Sequence, residues 1–438
     1  MTQRPGPKAL DYIARDKQFV SPSYTRGYPF VMDHGRGTEV WDVDGNRYLD
    51  FTSGVAVTAT GHSHPEVVRA IQEQAEKFLH MSGTDFYYPL QVELAEKLDE
   101  IAPMQELAQT FFTNSGAESI EAAIKLALYA SNRHYFIAFY GGFHGRTMGA
   151  LAFTASKPVH RGGFLPAMPP VTHAIFPDPY RPALSDLDKD EGLAAVKFIE
   201  TFILGRKLPA DEIAGILVEP IQGEGGYIIP PPSFFPALRK LCDKHGILLI
   251  VDEIQAGMGR TGKWFAIQHE GVEPDIVACA KGIASGLPLG AMIARKSLMT
   301  WPAGAHASTF GGNPLSCAAA LVTLRLLENG LMDNATRMGA YLLEHLRRLM
   351  ERHPHIGDVR GRGLMIGVEI VKDRTTKERF KKMRDRLVDT AYEHGLLLLG
   401  AGPNTIRIVP PLTVNQAEID EAMDILDRVF TLEESRLS

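Results

Sequence analysis

Two short apolar runs, Ile247 to Val251 and Ile276 to Ala280, lie close together near the middle of the chain. Each is too short for a helix and rich in branched residues, which predicts strands buried on both faces. The same sign recurs upstream. QTFFTNSGAESIEAAIKLALYA reads as a strand, a turn of small residues and an amphipathic helix with Ile120, Ile124 and Leu128 in register. A strand from Tyr135 to Tyr140 breaks at Gly141 and Gly142, and IAGILVEP predicts another, ending at Glu219. Strands alternating with helices predict an α/β fold with a mostly parallel central sheet flanked by helices.

The flanks read differently. VWDVDGNRYLDF alternates apolar and polar residues around Asp44, Gly45 and Asn46, a hairpin pattern. A helix enters at Pro65 and is expected to share Val68, Ile71 and Ala75 on one face. One helix is expected in the polar insert between about residues 184 and 212. Beyond about residue 331 the pattern is α+β: a helix over 334–352, the strand GLMIGVEIV, a basic helix over 376–394, the runs LLLLG and TIRIV, and a last helix after Thr413. This divides the chain into an arm with a small antiparallel segment (1–60), a large domain (61–330) and a C-terminal α+β domain (331–438).

Asp252 closes one central strand and Lys281 follows the other. In a parallel sheet both would emerge at the carboxyl edge, where open sheets bind ligands. A carboxylate and an amine there are the minimum equipment for pyridoxal 5'-phosphate: the lysine forms a Schiff base, and the acid keeps the pyridine nitrogen protonated. Other candidates follow strand ends. Ser115, Gly116 and Ala117 open a helix, whose free amides and dipole favour an anion. Phe143, past a strand end, can stack on a planar ring, and Arg146 offers a fork to a carboxylate. His144 lies between them and either edges the ring or supports the turn.

Composition narrows the class. The 438 residues carry 46 Lys and Arg against 52 Asp and Glu, a net charge of -6 that argues against nucleic acid as a main partner. Cys242, Cys279 and Cys317 are dispersed in apolar surroundings, which predicts buried thiols in a reducing compartment. The N-terminus lacks the apolar core of a signal peptide and no run approaches a membrane span, so the expected location is the cytoplasm. His62 and His64 lack a third ligand nearby, and no metal spacing is found.

Two motifs mislead. Gly257 to Lys263 fits GxxxxGK, but Trp264 replaces the required Ser or Thr, and the match follows an acidic strand rather than opening a helix. Gly257, Gly259 and Gly262 spell GxGxxG, but they begin five residues after Asp252, and the KWFAIQH that follows is a poor helix start. A nucleotide-binding ATPase is thus a poor reading.

DEIQAGMGRTG followed by AKGIASGLPLGA resembles the class III (ω-amino acid) aminotransferases, and the resemblance extends along the whole chain. It implies the pyridoxal phosphate transferase fold type I, with a large domain and a smaller α+β domain. Lys281 and Asp252 become the catalytic pair, and Ser115, Gly116 and Ala117 the phosphate cradle. Phe143 and Ile254 sandwich the ring with His144 near its edge, Gln255 bonds the ring hydroxyl, and Glu219 supports the floor. Thr309 donates to the phosphate of the partner subunit, which implies a homodimer with shared sites, or a dimer of such dimers. The segment around Val55 contributes to the substrate entrance of the neighbouring subunit, with Val55 a candidate pocket residue, and Arg146 binds the carboxylate of the substrate. Glu224 and Arg407 form a switch: the acid neutralises the arginine for an amine donor and releases it for glutamate or 2-oxoglutarate. The polar insert resembles the 4-aminobutyrate branch, which makes the expected reaction transfer from an ω-amino acid to 2-oxoglutarate. An acetylornithine or ornithine aminotransferase, and an amino-acid racemase or epimerase, share the scaffold and stay open.

Overall fold

The computed structural model describes residues 4–164 and 168–437. A seven-stranded sheet forms the centre, in the spatial order 108–113, 290–295, 276–279, 248–252, 213–218, 135–139, 171–174. Strand Gly290–Arg295 runs antiparallel to both neighbours, and the remaining pairings are parallel. Branched side chains explain the burial: every residue of Ile213–Val218 and of Ile276–Cys279 is buried. Helices such as Gly116–Ser131 and Phe234–His245 supply the crossovers.

The strand order creates the site. After Thr113, near one edge, the helix Gly116–Ser131 carries the chain across to Tyr135–Phe139, near the other. Connections leaving in opposite directions open a crevice beyond the carboxyl ends of the strands between them.

Two smaller antiparallel sheets flank this core. Met32–Arg36, Glu39–Asp42 and Arg47–Asp50 form a meander, with Gly45 at φ +83° and Asp42 Oδ1 accepting the amides of Asp44 and Asn46. Its last strand pairs in parallel with Leu396–Leu397, which ties the arm to the C-terminal region. There Ile356–Arg362, Met365–Ile370, Thr405–Ile408 and Leu399–Ala401 form the other sheet, with helices Met332–Arg352, Lys381–Glu393 and Gln416–Ser435. The three cysteines are buried free thiols.

One expectation about a helix face fails. In Pro65–Lys77 the buried residues are Val67 and Gln74, while Val68 and Ala75 are exposed. Gln74 Nε2 donates to the carbonyl of Phe78 at the helix end, so a polar side chain can occupy a buried position.

Candidate active site

A cavity of about 460 Å³ lies in the crevice. Its wall is assembled from segments that each follow a strand: Asn114 to Ala117, Phe143 to Arg146, Glu219 and Glu224, Asp252 with Ile254 and Gln255, and Ala280 with Lys281. The loop Gly286 to Leu289 and Val57 complete it. Parallel register sets Asp252 beside Ala278, so the acid and the lysine leave adjacent strands at the same edge.

Asp252 is buried, with Oδ1 accepting the amide of Ile254 at 3.0 Å and Oδ2 lying 2.7 Å from His144 Nδ1. Burial disfavours a charged imidazole, yet the hydrogen bond and charge of Asp252, with the charge of Glu219, leave the His144 pKa raised. His144 and Asp252 thus form a buried pair in the crevice wall. Lys281 has φ +48°, a left-handed backbone unusual for a side chain of this size. Burial, followed by the nearby Arg407 charge, lowers its pKa to about 8, although Asp252, Glu219 and Glu224 oppose the shift. An amine so tuned is partly neutral near neutral pH, as a nucleophile must be.

The turn at Ser115 fits a phosphate. Ser115 caps the helix, its Oγ accepting the amide of Glu118 and its carbonyl that of Ser119. The amides of Gly116 and Ala117 have no intrahelical acceptor at this end, and both residues line the cavity. A side chain at Gly116 would place Cβ 2.8 Å from Ile254 Cδ1, so the close approach of turn and cavity wall requires glycine. An anion cradle, a lysine with a lowered pKa and a buried acid held by histidine together match the phosphate, aldehyde and pyridine nitrogen of pyridoxal phosphate.

Around that position the remaining groups are held from behind. Tyr227 donates to Gln255 Oε1 at 2.6 Å, which leaves the Gln255 amide NH₂ for a ring oxygen. Glu219 accepts the amides of Phe143 at 3.2 Å and Gly223 at 3.0 Å, tying two loops of the floor. Burial, and secondarily the charge of Asp252, pushes its pKa up. Phe143 packs edge-on against His160, with the Arg146 guanidinium 5.5 Å from its ring centre.

Arg407 reaches the site from strand Thr405–Ile408 of the C-terminal sheet. Its Nη2 pairs with Glu224 Oε1 and, at 2.8 Å, with the carbonyl of Gly400, while Nη1 is buried without a partner among the described residues. Glu224 Oε2 accepts from Lys157 Nζ at 3.0 Å. Burial raises the Glu224 pKa, but Arg407 and then Lys157 outweigh it and bring the group to about 2.

Three of the expected residues do not line this cavity within one chain: Arg407, which meets it through Glu224, and Val55 and Thr309, both from segments expected to serve the neighbouring subunit. Val55, half-buried at φ +67°, does not line the cavity of its own chain, where Val57 does. The left-handed turn Ser53 to Ala56 breaks the period-two spacing that would aim both valines alike. Thr309 is exposed and outside the cavity, in a loop whose Ser308 Oγ accepts from Asn114 Nδ2 at 3.2 Å. Sequence reasoning missed the site roles of Asn114, Val57, Leu287 to Leu289, Tyr227 and Lys157. Asn114 and the GLPL loop lie within stretches already quoted, whereas Tyr227 and Lys157 carry no local sign.

The family model for aminotransferase class-III matches residues 20–430, and the chain belongs to that family of pyridoxal-phosphate-dependent enzymes. It is 37% identical to an alanine/serine racemase of Pyrococcus horikoshii, covering 97% of this chain and 91% of the relative. It is 42% identical to an acetylornithine aminotransferase of Methanosarcina mazei, covering 95% of each. With a 4-aminobutyrate aminotransferase of Mycobacterium leprae it shares 38% identity over 98% of this chain and 97% of the relative. Among solved structures, a thermostable (S)-enantioselective ω-transaminase from Thermomicrobium roseum superposes with a TM-score of 0.90. The identity there is 35%, covering 97% of this chain and 99% of that one. The fold is thus the fold type I of pyridoxal phosphate transaminases, and the chain is a class III aminotransferase.

Proposed function

We propose that this aminotransferase moves an amino group from an ω-amino acid of the 4-aminobutyrate type to 2-oxoglutarate. The observation that carries the reading is the buried ion pair of Arg407 with Glu224, which leaves Arg407 Nη1 without a partner among the described residues. With Glu224 in place the pocket is neutral there and accepts a donor lacking an α-carboxylate. With Glu224 turned away, Arg407 offers two nitrogens to the second carboxylate of a dicarboxylic acid. Arg146 takes the first carboxylate at the accessible side of the cavity.

Pyridoxal phosphate, when bound, supplies the electron sink that makes the proton beside the donor nitrogen labile. Lys281 Nζ takes that proton from the amine-bearing carbon and returns one to the keto carbon of the acceptor in the second half-reaction. Asp252, paired with His144, would accept the hydrogen bond of the protonated pyridine nitrogen. Gln255, locked by Tyr227, donates to the ring oxygen, and the first amides of helix Gly116–Ser131 hold the phosphate.

Thr309 completes this reading from outside. Its exposure and its absence from the cavity lining of its own chain agree with a homodimer in which it serves the neighbouring site. The three buried thiols agree with a reducing compartment such as the cytoplasm.

Two other readings have support of their own. Similarity to the Methanosarcina mazei enzyme favours acetylornithine as donor, and similarity to the Pyrococcus horikoshii enzyme favours racemisation. A half-reaction scan of 4-aminobutyrate, acetylornithine, ornithine and both alanine enantiomers against the pyridoxal form decides. The expected result is fastest conversion with 4-aminobutyrate. Solvent hydrogen exchange at the α-carbon with loss of optical activity, and without keto acid, would establish the racemase instead.

A further inference from the structure

Lys157 has no part in the mechanism above, yet it completes the gate. Glu224 divides its two oxygens between two cations of unlike setting: Oε1 faces Arg407, whose side chain is 5% exposed, and Oε2 faces Lys157, 40% exposed. The acid thus stands between a buried charge and a solvent-side charge. Its backbone is fixed, because the amide of Gly402 donates to the Glu224 carbonyl at 2.8 Å and Gln222 and Ile228 exchange backbone bonds across the loop. Any release of Arg407 must therefore come from rotation of the Glu224 side chain. A carboxylate that left one buried cation with no second partner would face a strong penalty. Lys157 already holds the oxygen about which the group can turn.

We propose that Lys157 is the docking post for the released Glu224, and so a specificity-determining residue that lets the pocket admit a dicarboxylate. The proposal rests on the Glu224 and Arg407 exchange inferred above. When a ligand carboxylate takes Arg407, Glu224 moves both oxygens to the Lys157 side and keeps a counter-ion throughout. Without Lys157, Arg407 is the sole side-chain partner of the Glu224 carboxylate among the described residues, and the dicarboxylate must displace an acid that has no second cation to turn to.

The test measures equilibrium binding of glutarate, a dicarboxylate that cannot react, and of butyrate to the holoenzyme by titration calorimetry. Lys157→Met should weaken glutarate binding about fivefold, the upper range for a partly exposed pair, and leave butyrate unchanged. Lys157→Arg should restore it. In a Glu224→Gln background, Lys157→Met should have no effect, since there is no charged gate to dock. An equal loss in that background would mean that Lys157 attracts the ligand directly, and no loss in the wild-type background would mean that it plays no role. Either result overturns the proposal. Arg407→Met is the control for the parent reading: if it leaves glutarate binding intact, the exchange itself fails and Lys157 falls with it, whereas a loss there with none at Lys157 rejects the docking post alone.

Discussion

Asp252 and Lys281 leave adjacent parallel strands at one edge of the sheet, with Asp252 in register with Ala278. A buried acid and a low-pKa amine are thereby held on two rigid elements of a single hydrogen-bonded frame. Strands fix such distances more tightly than loops do.

Replacing Lys281 by alanine should remove covalent attachment of the coenzyme and lower turnover by about 10³-fold or more. Borohydride treatment followed by peptide mapping checks the first part, with label expected on the peptide bearing Lys281 and nowhere else. In the wild-type apoenzyme the rate of coenzyme capture should climb as pH rises through about 8, the pH at which the buried amine loses its proton. A rise only near the ordinary lysine value would show that burial does not tune it.

Asp252→Asn keeps the shape of the side chain and loses the charge. It should leave the coenzyme bound while slowing proton removal from the donor by about 10²-fold or more. Single-turnover absorbance changes read this directly, and unchanged rates would remove Asp252 from the chemistry. His144→Phe should slow the same step by less, because the acid remains.

Glu224 links stability to acid pH. Its folded pKa is about 2 against an ordinary 4.5, so its stabilisation is fully present above about 4.5 and is lost as pH falls through about 2. The shift corresponds to about 3 kcal/mol. Thermal melts of Glu224→Gln should thus fall furthest below wild type at neutral pH and converge with it between pH 4.5 and 2. A gap that stays constant with pH would mean that the pair with Arg407 contributes nothing through its charge.

At Gly116 a methyl group would press against Ile254, 2.8 Å away, on the cavity wall proposed to receive the phosphate. Gly116→Ala should weaken coenzyme affinity by about tenfold through displaced turn amides, with little change in melting temperature of the apoprotein. Equilibrium dialysis against pyridoxal phosphate measures it, and wild-type affinity would place the phosphate elsewhere.

The chemistry of this site was legible because so much of it is local. Apolar runs of strand length mark where the sheet lies, and the residues after each run mark its carboxyl edge, as at Asp252, Lys281, Ser115 and Phe143. The turn after Thr113 and the break at Gly141 and Gly142 carry their own signs in small residues. The Glu224 and Arg407 pair had no such sign, since the partners stand 183 positions apart and were matched only through resemblance to a known family. The face of helix Pro65–Lys77 was misread because Gln74 satisfies its amide internally, which periodicity alone does not reveal.

The sequence by itself determined the alternating α/β order and the placing of Ser115 to Ala117, Lys281 and Asp252 at strand ends, because each depends on neighbours within a turn or a strand. Only the tertiary structure decided that Val57 rather than Val55 lines the cavity, that His144 holds Asp252, that Tyr227 locks Gln255, and that Lys157 shares Glu224 with Arg407. Those contacts join segments from different strands and from separate sheets. Their geometry follows from strand register and from the packing of the C-terminal sheet against the crevice, which no local pattern encodes.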